Sequence, residues 1–319
     1  MGMEENVQLE FRKLLEFFSR QCAERPQVFT HASGLIPDPA FFSVERLQQY
    51  LNNPLLNKDW VDLKLGGKPV SLESSCLSKT VQRKELQFMD KHVLDECLRR
   101  GGAVVLEGID ILDSSINSFV AQVDEALPCA FSNCVAFFSQ RESEAYGGHR
   151  DSDDVLVVQI SGEKRWRIFE PQQRRYFNNS PLTIPQMGKQ AAGVVMKAGD
   201  VLYVRAGVPH ICQTTGDHSL HLAFDLCDRT TNIEQITHEA NKRYNHACEE
   251  PHVPASKVVD KYIALLNSAA FQADLGTATR RLRQDAIEFR KSIGRASAVA
   301  ALSKYSQRKN ERAGEDSSE

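Results

Sequence analysis

Between residues 133 and 226 the chain keeps repeating one pattern: a short apolar run, then a turn signal. The runs cover 133–139, 153–160, 164–169, 193–197, 200–205, 209–215 and 219–226, and Ser161-Gly162, Ala198-Gly199-Asp200 and Thr215-Gly216-Asp217 punctuate them. Runs this short suit strands rather than helices. Strands that numerous must close on one another or stack, so the expected core is a sandwich or jelly roll.

What flanks this region has helical spacing. Residues 6–22 place Val7, Leu9, Phe11, Leu14, Leu15, Phe17 and Phe18 close to helical spacing, and a short strand after Pro26 is closed by Gly34. A short helix is expected over 44–52, and another over 92–102 that a glycine pair stops before the buried strand of "AVVLEG". "DSSINSFVAQVDEAL" (113–127) opens on an Asp/Ser N-cap and continues as an amphipathic helix. Beyond 230 the pattern turns helical again, in "NIEQITHEANKRYNHAC", in "SKVVDKYIALLNSAAF" and over about 276–308. The expected organisation is therefore 1–100, helices and strands packing on the core; 101–230, a mainly β double-stranded β-helix (jelly roll); 231–310, a C-terminal helical region; and 311–319, a disordered tail.

Composition narrows the classes. With 41% hydrophobic and 25% charged residues the chain reads as an ordinary globular protein. No apolar run approaches the ~20 residues that span a bilayer, so no membrane partner is expected. The N-terminal stretch lacks a basic segment followed by an apolar one, and the eight cysteines contain no Cys-x-x-Cys. Together these point to reduced thiols and a cytoplasmic location.

The chemistry gathers in "GGHRDSDDVLVVQISGEKRWRIFEP" (147–171). In extended backbone His149 and Asp151 point to the same face, as two ligands from one strand end would. His210, after the turn in "GDVLYVRAGVPHIC", is the candidate third ligand. Alone, a His-x-Asp is usually a surface hydrogen bond and a Pro-His in a turn is usually structural. Together at the ends of a β core they form two histidines and a carboxylate, which leave three positions open on a metal and suit iron(II) oxygenases. If 153–160 and 164–169 form a hairpin around "SGEK", alternation puts Lys164 and Trp166 on one face and Arg165 and Arg167 on the other. A buried Lys164 on the metal face would pair with a dicarboxylate whose other end chelates iron, making 2-oxoglutarate the expected co-substrate. For Arg165 and Arg167 a solvated strand edge is the simpler reading.

His149-x-Asp151, the "VLVVQISGEKRWRIFEP" stretch, "AGDVLYVRAGVPH" and "HSLHLAF" resemble the JmjC/cupin-type 2-oxoglutarate oxygenases, closest to the ribosomal-oxygenase group. The resemblance covers roughly residues 10–226. It implies Fe(II) held by His149, Asp151 and His210, 2-oxoglutarate anchored by Lys164, and Ser219 and His221 beside the co-substrate. Dioxygen would be the second co-substrate, and a C–H bond of an amino-acid side chain would be hydroxylated. The strand "CVAFFS" corresponds to one that brings an asparagine and a tyrosine toward the site in such enzymes. Here Val135 and Phe137 stand in those places, so Phe137 would face the co-substrate.

A protein substrate, ribosomal or other, and a free amino acid, peptide or secondary metabolite both fit this chemistry. A cupin-type binding protein without catalysis is the reading from another class. The net charge of −3 gives no general attraction to nucleic acid, so none is expected except as part of a ribosomal substrate. Residues 276–312 carry ten Lys or Arg against three Asp or Glu. That charge suits the solvated face of a helix in a homodimer formed through the C-terminal helices, or a patch for RNA-bearing particles.

Overall fold

The structure, a computed structural model, describes residues 3–56, 59–71, 75–127, 131–140, 146–171, 181–227 and 255–273, and residues 284, 288, 290 and 292. The first part holds α1 (Met3–Glu24), β1 (Phe29–Ala32), α2 (Val44–Leu51), β2 (Val61–Leu65), β3 (Lys68–Pro69), β4 (Cys76–Val81), β5 (Lys84–Met89) and α3 (Lys91–Arg99). Then come β6 (Ala103–Leu106), α4 (Ile109–Leu112), α5 (Ser114–Ala126), β7 (Phe131–Gln140) and β8 (Asp154–Phe169). They are followed by α6 (Ile184–Met187), β9 (Gln190–Lys197), β10 (Val201–Val204), β11 (His210–Cys227) and α7 (Ala255–Leu266).

Nine strands form one antiparallel sheet in the order β1-β10-β8-β11-β7-β6-β2-β3, with β9 also paired to β8. Helices flank it, giving the jelly-roll class expected from the strand pattern. Strands β1 and β2 come from the first hundred residues yet belong to this same sheet. The β4–β5 hairpin stands apart, and with β2 and β3 it fills a stretch, 61–89, where periodicity gave no reading.

The ladder between β8 and β11 differs from expectation. No hairpin turns at "SGEK": residues 154–169 are one strand, and 210–227 are another, antiparallel to it along both halves. The turn signals mark bulges instead. Ile160 has no partner between the pairs Gln159–His221 and Ser161–Leu220, and the four residues 215–218 stand opposite the single Glu163. Each strand thus carries an odd number of extra residues, which switches its side-chain alternation from one face to the other. Val155 and Val157 point into the interior cavity from the first half of β8, and Trp166 does so from the second. On β11 the switch runs between His210 and Cys212 at one end and His221 and Ala223 at the other. Lys164 and Trp166 do share a buried face while Arg165 is exposed, as alternation requires.

The other face of the sheet packs on helices. Phe11 and Phe18 of α1 and Phe119 of α5 are buried against Phe224 of β11; Phe11 stacks on Phe119 at 4.8 Å, and Phe119 meets Phe224 edge-on at 5.3 Å. Helix α5 starts where its cap predicts: Asp113 accepts hydrogen bonds from the N–H groups of Ser115 and Ile116. Helix α3 stops at the glycine pair, with Gly101 in the left-handed region at φ 77°.

At the C-terminal end, Arg290 is buried and paired with two buried carboxylates, Asp124 at 2.9 Å and Asp110. The expected helix over 232–248, the tail from 311 and most of 276–308 lie outside the described residues. Among the described residues no helix is long and apolar enough to cross a membrane. Cys22, Cys76, Cys97, Cys134 and Cys212 are free thiols.

Gly162 makes the bulge possible. Its φ is 67°, and a Cβ there would collide with the carbonyl of His218. Gly162→Ala should therefore cost about 2–4 kcal/mol in urea unfolding, while Gly216→Ala, with open space around it, should stay within about 1 kcal/mol. Equal effects would show that the bulge does not depend on the glycine.

Candidate metal and co-substrate site

The first and third expected ligands meet through their backbones. His149 and His210 form an isolated antiparallel bridge, His149 N–H donating to His210 C=O at 3.0 Å and His210 N–H to His149 C=O at 2.9 Å. That exchange sets the two imidazoles side by side, ring centroids 4.4 Å apart. Each ring is then fixed by its own loop: His149 Nδ1 lies 2.8 Å from Gly147 C=O, and His210 Nδ1 lies 3.1 Å from Val208 C=O. A carbonyl only accepts, so Nδ1 carries a proton in both rings and Nε2 is the atom each ring can offer to a metal.

Asp151 faces both Nε2 atoms. Its Oδ1 is 3.5 Å from His149 Nε2 and its Oδ2 is 3.5 Å from His210 Nε2. One donor atom from each of the three side chains lies within 4.8 Å of the others. Gly207 N–H donates to Asp151 C=O at 2.9 Å, tying the loop that carries Asp151 to the loop that carries His210. Burial, and then the neighbouring His149, push His210 down to about 4, so its ring is neutral. Two imidazoles, each oriented from behind by a backbone carbonyl, and one carboxylate form a donor set that fits iron(II).

The cavity in front of the triad measures about 350 Å³. Phe137, Trp166, Cys212 and His221 form one wall. Phe137 stacks flat on His221, its cross-strand neighbour, at 4.8 Å. Burial, and then Lys164, push His221 well below its ordinary value, so this ring too is neutral.

Further along the same face lies a buried polar cluster. Lys164 is fully buried, and its Nζ is 3.4 Å from Ser139 Oγ, which is 2.6 Å from Thr214 Oγ1. Ser219 is also fully buried, accepting from Gln159 Nε2 at 2.9 Å, and it lies behind the cavity surface rather than on it. Val135 and Phe137 both face the cavity, as their positions on β7 require.

The sequence reading missed the acidic part of the lining. Glu107, Tyr146 and Asp225 line the cavity with Asp151. Burial raises Glu107, with Asp62 and Asp110 adding to it. Burial, then Asp151, Asp153 and Glu107, push Asp225 up to about 7. Tyr146 is raised by burial and by Asp62, whose carboxylate also pairs with Lys64 at 2.8 Å. The available signal was alternation: Asp225 shares the odd-numbered face of β11 with His221 and Ala223.

The shift at Asp225 predicts a pH effect. Its carboxyl titrates above the ordinary 3.8, so the folded chain holds the proton more tightly than the unfolded one. The stabilisation is complete below the unfolded value and is lost as pH rises through about 7. In the metal-free protein, Asp225→Asn should melt above wild type at pH 8, with the gap narrowing toward pH 5. A gap that does not change with pH would contradict the buried carboxyl.

Residues 112–234 match the JmjC domain family. The chain is 34% identical over 88 residues to the bifunctional lysine-specific demethylase and histidyl-hydroxylase NO66 of Drosophila persimilis, covering 27% of this chain and 13% of that protein. It is 30% identical to ribosomal oxygenase 1 of Gallus gallus, covering 28% and 16%. The matched stretch is thus a small part of those relatives. Among solved structures, Escherichia coli ycfD superposes with a TM-score of 0.51 at 15% identity, over 79% of this chain and 68% of that one. A second structure of YcfD, a ribosomal oxygenase, in complex with cobalt and 2-oxoglutarate gives 0.50 at 13% identity, over 79% and 66%. At these identities the structural likeness is one of fold. Over residues 112–234 the chain is similar to the JmjC domain family, and in fold it is like the YcfD structures.

Proposed function

We propose that the chain is an Fe(II)- and 2-oxoglutarate-dependent oxygenase that hydroxylates an amino-acid side chain of a protein, with ribosomal proteins the first candidates. The observation that carries this reading is the convergence of two imidazoles and a carboxylate on one point, with the buried Lys164 on the same face of the sheet.

His149, Asp151 and His210 would hold the iron, and Lys164 would meet the far carboxylate of 2-oxoglutarate. Iron, 2-oxoglutarate and dioxygen together supply the oxidising power, with succinate and carbon dioxide as the co-products. The rest falls to this chain's own side chains. The Nδ1–H bonds of His149 and His210 keep both Nε2 atoms aimed at the metal position. Phe137, Trp166 and His221 wall the cavity and limit water. Glu107 and Asp225, short of compensating charge, favour a basic or protonated substrate side chain. This last point suits a protein substrate rich in such residues.

A second reading keeps the chemistry and makes the substrate a free amino acid, a peptide or a secondary metabolite. Val135 and Phe137 favour it, because they face the cavity where the resembling enzymes bring asparagine and tyrosine. A homodimer through the C-terminal helices and a cytoplasmic location complete the proposal. On α7, Val259 and Ile263 stand four residues apart and exposed, as a helix that packs on a partner would place them.

The direct test is succinate formation by anaerobically iron-loaded protein given 2-oxoglutarate and air. Wild type should turn over, and Asp151→Ala should lose activity entirely. Lys164→Ala should raise the KM for 2-oxoglutarate roughly ten- to a hundredfold, the loss of one charge-assisted hydrogen bond; an unchanged KM would remove Lys164 from its role. Mass spectrometry of ribosomal proteins from cells with and without the gene separates the two substrate readings. A +16 Da side chain present only with the gene supports the protein substrate, and its absence favours the small molecule.

A further inference from the structure

Two polar atoms on the wall of the cavity are buried without a hydrogen-bond partner among the described residues: Trp166 Nε1 and His221 Nδ1. Their side chains are 4% and 2% exposed, and both line the cavity. Buried polar atoms of a native fold are nearly always paired, and one left over on a cavity wall points to what the cavity takes up.

Position narrows the ligand. Trp166 is paired across the ladder with Cys212, two residues from His210, and it lies two residues from Lys164 on the same face of β8. Its ring is 5.5 Å from that of His210 and 5.9 Å from that of His221, the latter at 70°. It therefore occupies the wall between the candidate metal ligands and the buried lysine. An indole N–H can only donate, so its partner must be an oxygen that accepts. His221 is held flat against Phe137, which fixes the direction of its Nδ1. An apolar ligand would leave both atoms unpaired, whereas an oxo-dicarboxylate carries acceptor oxygens at both of its ends.

We infer that Trp166 is a binding residue for the oxo-dicarboxylate co-substrate, its indole N–H donating to a ligand oxygen between the metal position and Lys164. This rests on the proposed oxygenase reading and adds to it a residue whose donor does not titrate. The same contact makes Trp166 a built-in reporter, since the chain has only one other tryptophan, Trp60.

The test uses the full chain loaded with Zn(II), a diamagnetic stand-in for iron, and 2-oxoglutarate as the probe. Calorimetry gives the Kd for wild type, Trp166→Phe and Trp60→Phe. Trp166→Phe should weaken 2-oxoglutarate binding about five- to thirtyfold, with Zn(II) affinity and Tm close to wild type, while Trp60→Phe keeps the wild-type Kd. In wild type with 15N-labelled tryptophan, the Trp166 indole N–H resonance should move downfield and become protected from exchange on addition of 2-oxoglutarate. This second measurement needs no folded variant at position 166.

Binding by Trp166→Phe within twofold of wild type, or an indole resonance that does not respond, overturns the inference and leaves the oxygenase reading intact. A variant that loses Zn(II) and 2-oxoglutarate affinity together also overturns it, because the ring would then be acting through packing alone. Wild type that binds Zn(II) but no 2-oxoglutarate overturns the oxygenase reading, and the inference with it.

Discussion

The long ladder between β8 and β11 is the constraint on which the molecule depends. Two strands of 16 and 18 residues run side by side, and near their middles each takes in an odd number of unpaired residues. Without those bulges, alternation along β8 would send Lys164 and Trp166 to the side opposite Val155 and Val157. With them, both halves of both strands aim at one cavity. The opposite face is apolar where Leu156 and Val158 of β8 lie beside Leu222 and Phe224 of β11, and helices pack there, while the second half of β8 turns Arg165 outward. Sheet, cavity and helix packing follow from one irregularity made twice.

The candidate site uses that ladder economically. At its end, β11 delivers His210 to the bridge with His149, so the spacing of the two imidazoles is set by main-chain hydrogen bonds rather than by side-chain packing. Metal ligands held in this way are rigid before any metal arrives. Elsewhere in the lining, burial and neighbouring carboxylates raise both Glu107 and Asp225 and disfavour their charged forms, an arrangement characteristic of a functional cavity.

What was legible in the sequence followed from period two. Strict alternation around Lys164 and Trp166, and the His-x-Asp spacing, depend only on local backbone, so they read directly. The strand runs themselves were also recoverable from 133 to 226, because punctuation by glycine survives whatever the glycine does. What it does was not recoverable: Ser161-Gly162 has the composition of a hairpin turn, and only the tertiary pairing of β8 with β11 makes it a bulge. Strands β2 to β5 escaped because their side chains mix buried and exposed positions without a clean period. The acidic wall escaped because Glu107 and Asp225 are single residues far apart in sequence, brought together only by the order of strands β6, β7 and β11 in the sheet.

The ion pairs of Arg290 bear on where this chain can be cut. Asp110 does more than bind the guanidinium: it also accepts the N–H of Cys134, holding the start of β7. A fragment trimmed to the matched segment, 112–234, would keep Asp124 buried without its cation and would lack β1, β2 and β6. The edges of β10 and β7 would then be bare, open to pairing between molecules. The segment recognisable by similarity is thus smaller than the unit that folds, and inactivity of such a fragment would say nothing about the chemistry of the whole chain.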